Sequence, residues 1–161
     1  MRKILLTLSL MAVAFASMAA NYEISVWNGG TRYDYSVAGR TATVVVPVNP
    51  APGMPWIWRP AFFDAFPSVD KALLEQGWHI AYYDVTHCYG SPESVRLARD
   101  FYEGAVSRFG LNDKVALEGF SRGGYFCFAW AAAYPETVSS MYLDAPVCDI
   151  VSWPGRKREG L

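Results

Sequence analysis

Charge is scarce in this sequence of 161 residues, and neither sign dominates. Charged side chains make up 18% of the chain, and 14 Lys and Arg oppose 15 Asp and Glu, which gives a formal net charge of −1. Binding to nucleic acid through its phosphates needs a basic surface, so this balance argues against a nucleic-acid partner. The apolar content of 52% excludes a disordered chain and indicates a single globular domain.

Cysteine and histidine are also few, with three and two copies. Cys88, Cys127 and Cys148 lack the CxxC or Cys/His spacing of zinc sites, so we predict no metal. An odd number of cysteines leaves at least one unpaired within a monomer, and we interpret all three as small buried hydrophobic residues. Nothing in the sequence indicates a cofactor.

The longest apolar run is too short to span a bilayer. Residues 4–16 form an uncharged stretch of 13 residues after Arg2 and Lys3, whereas a membrane span needs about 20. Ser17 and Ala19 then provide the small residues of a cleavage site. This pattern predicts a signal peptide over residues 1–19 and a secreted or periplasmic protein with no membrane attachment after cleavage. A buried N-terminal helix is the alternative.

The remaining residues, 20–161, alternate between strand and helix patterns. This order predicts an α/β fold, a three-layer and mostly parallel sheet with helices on both faces and an antiparallel hairpin at one edge. A proline-rich loop is predicted over 49–60. The predicted strands are 22–27, 31–37, 41–48, 78–85, 114–119 and 138–144, and the predicted helices are 61–76, 91–109 and 122–134.

One pentapeptide carries a chemical pattern. Residues 119–123 (GFSRG) match G-x-S-x-G, the sequence of a nucleophile elbow. Such an elbow turns sharply from a strand into a helix, and glycines on either side of the serine avoid side-chain clashes. The strand 114–119 and the helix 122–134 supply that context. The sequence therefore predicts that Ser121 Oγ stands at a helix N-terminus, where the dipole favours a developing negative charge.

Several segments together carry a family resemblance. They are GFSRGG, PWIWR after the third predicted strand, YGSP after the fourth, and DAPVCDIVSWPG after the sixth. With these, the chain resembles the α/β-hydrolase superfamily, in its secreted esterase or prolyl-oligopeptidase-like branch. The resemblance covers nearly all of residues 22–155 and implies neither a metal nor a cofactor.

The resemblance also implies roles for individual residues. Ser121 becomes the nucleophile, and the backbone N–H of Arg122 becomes one oxyanion donor. The second donor is expected from the loop 49–59, where we favour the amide of Trp56. The residues expected to line the substrate pocket are Trp58, Arg59 and Tyr89.

The chain departs from the superfamily in its catalytic triad, whose order is serine, acid, histidine. Both of its histidines, His79 and His87, precede Ser121. Asp144 is a candidate acid, with capping of loop amides as the alternative. We therefore predict a domain fragment that lacks its C-terminal strands and hydrolyses simple esters little or not at all. In a complete short enzyme, His87 would have to serve as the base.

The function predicted from these observations is a secreted serine hydrolase that cleaves carboxylic esters. Its partner would be a small-molecule or oligosaccharide ester. An acylated carbohydrate or a plant-phenolic ester is preferred, because export suits such substrates and because sugar rings could stack on the aromatic loop 56–58 and on Tyr82, Tyr83 and Tyr89 near the predicted strand ends. The alternatives are a peptidase and a non-catalytic binding protein built on the same fold. The sequence indicates no oligomeric state.

Overall fold

The computed structural model describes residues 21–149, 151 and 155. The predicted signal peptide, residues 1–19, lies outside this range. Within it, no helix combines the length and the apolar character needed to cross a bilayer.

The described residues form one seven-stranded sheet, in the order β1-β2-β3-β5-β4-β6-β7. The strands are β1 (Glu23–Trp27), β2 (Gly30–Val37), β3 (Arg40–Val46), β4 (Trp56–Arg59), β5 (His79–Tyr83), β6 (Val115–Phe120) and β7 (Val138–Asp144). The helices are α1 (Ser68–Glu75), α2 (Pro92–Phe109) and α3 (Arg122–Ala133), with short 3-10 turns at Thr86–Cys88 and Pro135–Thr137.

The sheet is mixed, and its parallel part carries the helical crossovers. Strands β1, β2, β3 and β5 pair antiparallel, whereas β5, β4, β6 and β7 pair parallel. Crossovers between parallel strands place helices on the sheet faces and bring the strand ends that precede them to one edge. The predicted α/β fold with helices on both faces is confirmed.

Each face of the sheet has its own core because successive strand residues point to opposite sides. On the side of α2 and α3, Trp58 packs edge-on against Trp130 and Phe126, with ring centroids 4.9 and 5.4 Å apart. On the side of α1, Ile57 of the same strand joins a smaller cluster with Leu74 and others. The elements that surround the carboxyl ends of β4 and β6 are therefore anchored from both faces.

Two predicted elements between residues 49 and 76 are wrong. The loop 49–60 contains a central strand, β4, because its prolines flank residues 56–59 and do not interrupt them. The helix predicted over 61–76 is helical only as α1, over Ser68–Glu75. Residues 61–67 instead form an irregular turn, with positive φ at Phe62, Asp64 and Phe66.

The prediction that the cysteines are buried holds for one of three. The Cys127 side chain is buried, Cys88 is half-buried and Cys148 is exposed, and all three are free thiols. The difference follows from position, because only Cys127 lies on the face of α3 that packs against the sheet.

Candidate active site

Ser121 lies in the turn that joins β6 to α3. Its φ of 53° and ψ of −121° place it in a region that non-glycine residues rarely occupy. Strand β6 ends at Phe120 and α3 begins at Arg122, so Ser121 is the residue at which the chain reverses. Its side chain makes no capping hydrogen bond to α3.

Close packing around this turn depends on Gly119 and Gly124. A Cβ on Gly119 would lie 2.6 Å from Gly124 Cα, and a Cβ on Gly124 would lie 2.3 Å from Pro146 Cβ. Gly123, the last glycine of the pentapeptide, has ordinary contacts, the nearest at 3.4 Å from Ala61 Cβ. The steric requirement that we assigned to residues 119 and 123 therefore belongs to 119 and 124.

Backbone hydrogen bonds from the segment at the end of β7 hold the turn. Ser121 N donates to Asp144 O at 3.1 Å, and Val147 N donates to Ser121 O at 2.9 Å. Asp144 also pairs with Phe120 in the register of β6 and β7. The structure thus brings Asp144, the candidate acid, beside Ser121, with its side chain exposed.

The turn after β4 forms the other wall of the site. Pro60 Cγ and Ala61 Cβ lie 3.5 and 3.4 Å from the position of a Cβ on Gly123, in the first turn of α3. The Phe62 ring lies edge-on to Phe120, with centroids 5.6 Å apart. The Arg122 guanidinium lies over the Phe62 ring, 4.7 Å from its centroid.

Backbone amides with no other partner point to this wall as a donor surface. Pro60 has no N–H, so the first amides after β4 are those of Ala61 and Phe62. Among the described residues, neither donates a hydrogen bond. Ala61 N lies 3.9 Å from the position of a Cβ on Gly123, two residues after Ser121. The amides of this turn and that of Arg122 at the start of α3 are therefore candidate donors for the site.

The predicted roles of Trp56 as the second oxyanion donor and of Trp58 in the pocket lining are wrong. Both lie in β4 and are fully buried. Trp56 begins the strand, at the end of the sheet away from Ser121, and its indole donates to Asn112 O at 2.8 Å. Trp58 lies in the core beneath α3. Both lie in the segment predicted as a loop, because the prolines on either side of residues 56–59 favour a loop over a strand.

Arg59 is buried as well, and this overturns its predicted place in the pocket lining. Its guanidinium is 2% exposed and contacts Asp70 Oδ2 through Nη1 at 2.5 Å. Nη2 donates to Ala65 O at 2.6 Å and lies 3.6 Å from Glu118 Oε1. We call Arg59, Asp70 and Glu118 the buried charge cluster. Sequence reasoning missed it, since nothing local relates Asp70 on α1 to residues on β4 and β6.

Two carboxyl groups share one guanidinium in the buried charge cluster. Burial and, after it, the negative charge of Asp70 raise the pKa of Glu118, against the lowering effect of Arg59, to about 8. Asp144 also raises this pKa. Glu118 therefore carries a proton at neutral pH, and the cluster is close to electrically neutral.

The two histidines lie away from Ser121. His79 begins β5, at the opposite end of the parallel strands, with Nδ1 3.2 Å from Pro55 O. Burial lowers the pKa of His79, against the raising effect of that carbonyl. His87 follows β5 and faces β3, where its Nε2 lies 2.8 Å from Arg40 Nη2. Neither has a described contact with Ser121.

Other polar residues lie after β5, at the edge of the sheet that Ser121 shares. Asp84 Oδ2 lies 3.9 Å from Arg122 Nη2. Burial raises the pKa of Tyr82, and Asp84 raises it further. Tyr89 is 42% exposed at the end of the 86–88 turn, so its predicted role in the pocket stays a prediction. No group of three or more potential metal ligands occurs in the described part of the chain.

Comparison with solved structures gives matches at low sequence identity. Candida antarctica lipase A in its closed state matches with a TM-score of 0.54 and 17% identity, over 76% of this chain and 40% of that one. Cfl2 from Burkholderia cenocepacia gives 0.56 and 15%, over 79% and 45%. A cold-adapted esterase from an Arctic intertidal metagenomic library gives 0.55 and 14%, over 78% and 65%. This chain thus spans less than two thirds of each of them.

The sequence itself matches a family model. No curated protein matches the chain. The model of the alpha/beta hydrolase fold matches residues 51–155, which is more than half of the chain and includes β4, Ser121 and β7. The chain therefore belongs to the alpha/beta hydrolase fold family.

Proposed function

We propose that this protein is a secreted serine hydrolase that cleaves carboxylic esters, with Ser121 as the nucleophile. The observation that carries the proposal is the backbone of Ser121, at φ 53° between a buried strand and α3. A serine held there without a side-chain capping bond has its hydroxyl free to attack. The start of α3 adds a favourable dipole for negative charge.

The available amides fit the stabilisation of an oxyanion. In the proposed reaction, Ser121 Oγ loses its proton to a base and bonds to the ester carbonyl carbon, whose oxygen becomes negatively charged. The amides of Arg122 and of the Ala61–Phe62 turn donate to that oxygen. The C–O bond to the alcohol then breaks, the alcohol takes the proton, and water later releases the acid from Ser121.

The base and the acid of the proposed reaction have different sources. Asp144 is the candidate acid, because its backbone already bonds to Ser121 at the end of β7. His79 and His87 are held by Pro55 and Arg40 instead. We propose that an imidazole outside these 161 residues is the base, which agrees with the share of the solved lipases and esterases that the chain spans.

Aromatic rings beside Ser121 favour an ester with a ring-containing part. Phe66 is 78% exposed, and its ring centroid lies 5.7 Å from that of Phe120, which precedes Ser121. Sugar rings and phenolic acyl groups present flat apolar faces that stack on such side chains. This supports an acylated carbohydrate or an aromatic acyl ester as substrate. The stacking surfaces expected at Trp56, Trp58 and Tyr83 do not contribute, because those side chains are fully buried.

A fluorophosphonate probe tests the proposal on the protein as its own cells make it. We expect a covalent adduct on Ser121, identified by mass spectrometry of the peptide, and no adduct in Ser121→Ala. We also expect the wild type to hydrolyse aryl and sugar esters but not peptides, and Ser121→Ala to lose this ester hydrolysis. A folded protein whose Ser121 stays unmodified would overturn the hydrolase and favour a non-catalytic binding protein.

A further inference from the structure

The turn between β4 and α1 is conformationally strained and yet held in place. Three of its non-glycine residues, Phe62, Asp64 and Phe66, have φ of 57°, 65° and 53°. Such backbone conformations are unfavourable for non-glycine residues, so the surrounding contacts must fix them. This is the turn that packs against the residues on either side of Ser121, with Ala61 at Gly123 and Phe62 at Phe120.

Arg59 makes a buried polar connection to this turn. Its Nη2 donates to Ala65 O at 2.6 Å, while Nη1 contacts Asp70 Oδ2 at 2.5 Å on α1. Arg59 ends β4 and Asp70 lies in the first turn of α1. One guanidinium therefore joins the element before the turn, the turn itself and the helix after it.

The same guanidinium also reaches the strand that carries Ser121. Glu118 lies three residues before Ser121, and its Oε1 lies 3.6 Å from Arg59 Nη2. The side chains of Arg59 and Glu118 are 2% and 5% exposed. The contact between Arg59 and the protonated Glu118 is thus made away from solvent.

A planar guanidinium suits this arrangement better than an ammonium group. Its N–H groups are fixed in a fork, so Nη1 and Nη2 can bond two acceptors in different directions. An amine at the end of a lysine side chain is a point charge without that fork. The guanidinium of Arg59 therefore fixes the positions of Asp70 Oδ2 and Ala65 O relative to each other.

We propose that Arg59 is a positioning residue that sets the Ala61–Phe62 amides against Ser121 by anchoring the turn to α1 and to β6. This role rests on the proposed function. In it, the buried charge cluster aligns the two sides of the oxyanion site, which are the Ala61–Phe62 turn and the start of α3. Arg59 itself touches no substrate. Its loss should weaken stabilisation of the transition state and leave ground-state binding intact.

The test compares Arg59→Met and Arg59→Lys with Arg96→Met in the full-length protein. Arg96 forms an exposed ion pair with Glu93 on α2 and serves as the matched control. We expect hydrogen exchange at amides 61–66 to become at least tenfold faster in Arg59→Met, while exchange in α2 does not change. We also expect Ser121 to react with a fluorophosphonate at least tenfold more slowly, with the inhibition constant of a reversible ester analogue unchanged. Arg59→Lys should lie between wild type and Arg59→Met.

Each outcome bears on the positioning role. A folded Arg59→Met with unchanged exchange at 61–66, or with faster exchange and a normal labelling rate, overturns it. If Arg59→Met does not fold, Arg59→Lys decides by the same two measurements. If wild-type Ser121 is not labelled at all, the proposed function fails, and exchange at 61–66 still tests whether Arg59 anchors the turn.

Discussion

The two glycines that follow Arg122 have different surroundings, although they are neighbours in α3. Gly124 packs against Pro146, where an added Cβ would lie 2.3 Å from the proline Cβ. Gly123 has room for a methyl group, with Ala61 Cβ at 3.4 Å. A glycine in a helix costs about 1 kcal/mol relative to alanine unless packing requires it. The position of Gly124 has such a requirement, and that of Gly123 does not.

Alanine should therefore be much more destabilising at position 124 than at position 123. We expect Gly124→Ala to lower the free energy of unfolding by about 1–3 kcal/mol, because the backbone of Pro146 must move. Gly123→Ala should change it by less than about 1 kcal/mol. Urea denaturation followed by circular dichroism measures both. Equal losses in the two variants would contradict the packing assigned to Gly124.

The proton on Glu118 makes stability depend on pH. The pKa of this carboxyl rises from 4.5 to about 8 because it is buried beside Asp70. The folded state then binds a proton that the unfolded state has lost, so stability declines as the pH rises from about 5 to about 8. Because Glu118→Gln cannot ionise, we expect its free energy of unfolding to increase relative to that of wild type as the pH rises over this range.

The measurement is urea unfolding of wild type and Glu118→Gln at pH 5, 6, 7 and 8. Glu103→Gln is the control, because Glu103 is exposed on α2 in an ion pair with Arg99. Its difference from wild type should stay nearly constant across the series. A constant difference for Glu118→Gln as well would show that Glu118 is ionised throughout.

Sequence patterns locate a residue when its role follows from its immediate neighbours. Ser121 could be singled out because the motif and the flanking elements are contiguous in the chain. Asp70 could not, because its partners Arg59 and Glu118 lie on other strands and no local pattern joins them. The prediction that Trp58 lines the pocket is wrong because its neighbouring prolines favour a loop, whereas its side chain packs in the core.

Among the elements, α2 was predictable and α1 was not. Ser91 before Pro92 and Gly110 after Phe109 are ordinary helix boundaries, and α2 begins and ends there. Pro60 carries the same kind of start signal for a helix over 61–76. The chain instead makes the turn 61–67 first, because Arg59 and Trp27 hold it through Ala65 O and Asp64 Oδ1. These tertiary contacts override a local preference, and sequence reasoning does not contain them.

Over the whole molecule, the alternation of strands and helices was enough to predict the fold class, although not the central strand β4. The terminal strands of the sheet in the described range are β1 and β7. Both have exposed side chains along them, and β7, with Ser140 and Tyr142 among its exposed residues, is the longer of the two. A long edge strand with unpaired backbone groups can pair with another chain.

We expect the 161-residue chain to associate through β7 as its concentration rises, and a lysine on that edge to oppose this. Ser140→Lys places a charge on the exposed strand, where pairing with a second copy would bury it. Ser107→Lys adds the same charge on exposed α2, and Ser25→Lys adds it on β1. Sedimentation velocity across a concentration series should show less association only for Ser140→Lys. If Ser107→Lys reduces association equally, net charge is the cause. If Ser25→Lys alone reduces it, the chain pairs through β1 and the assignment to β7 is wrong.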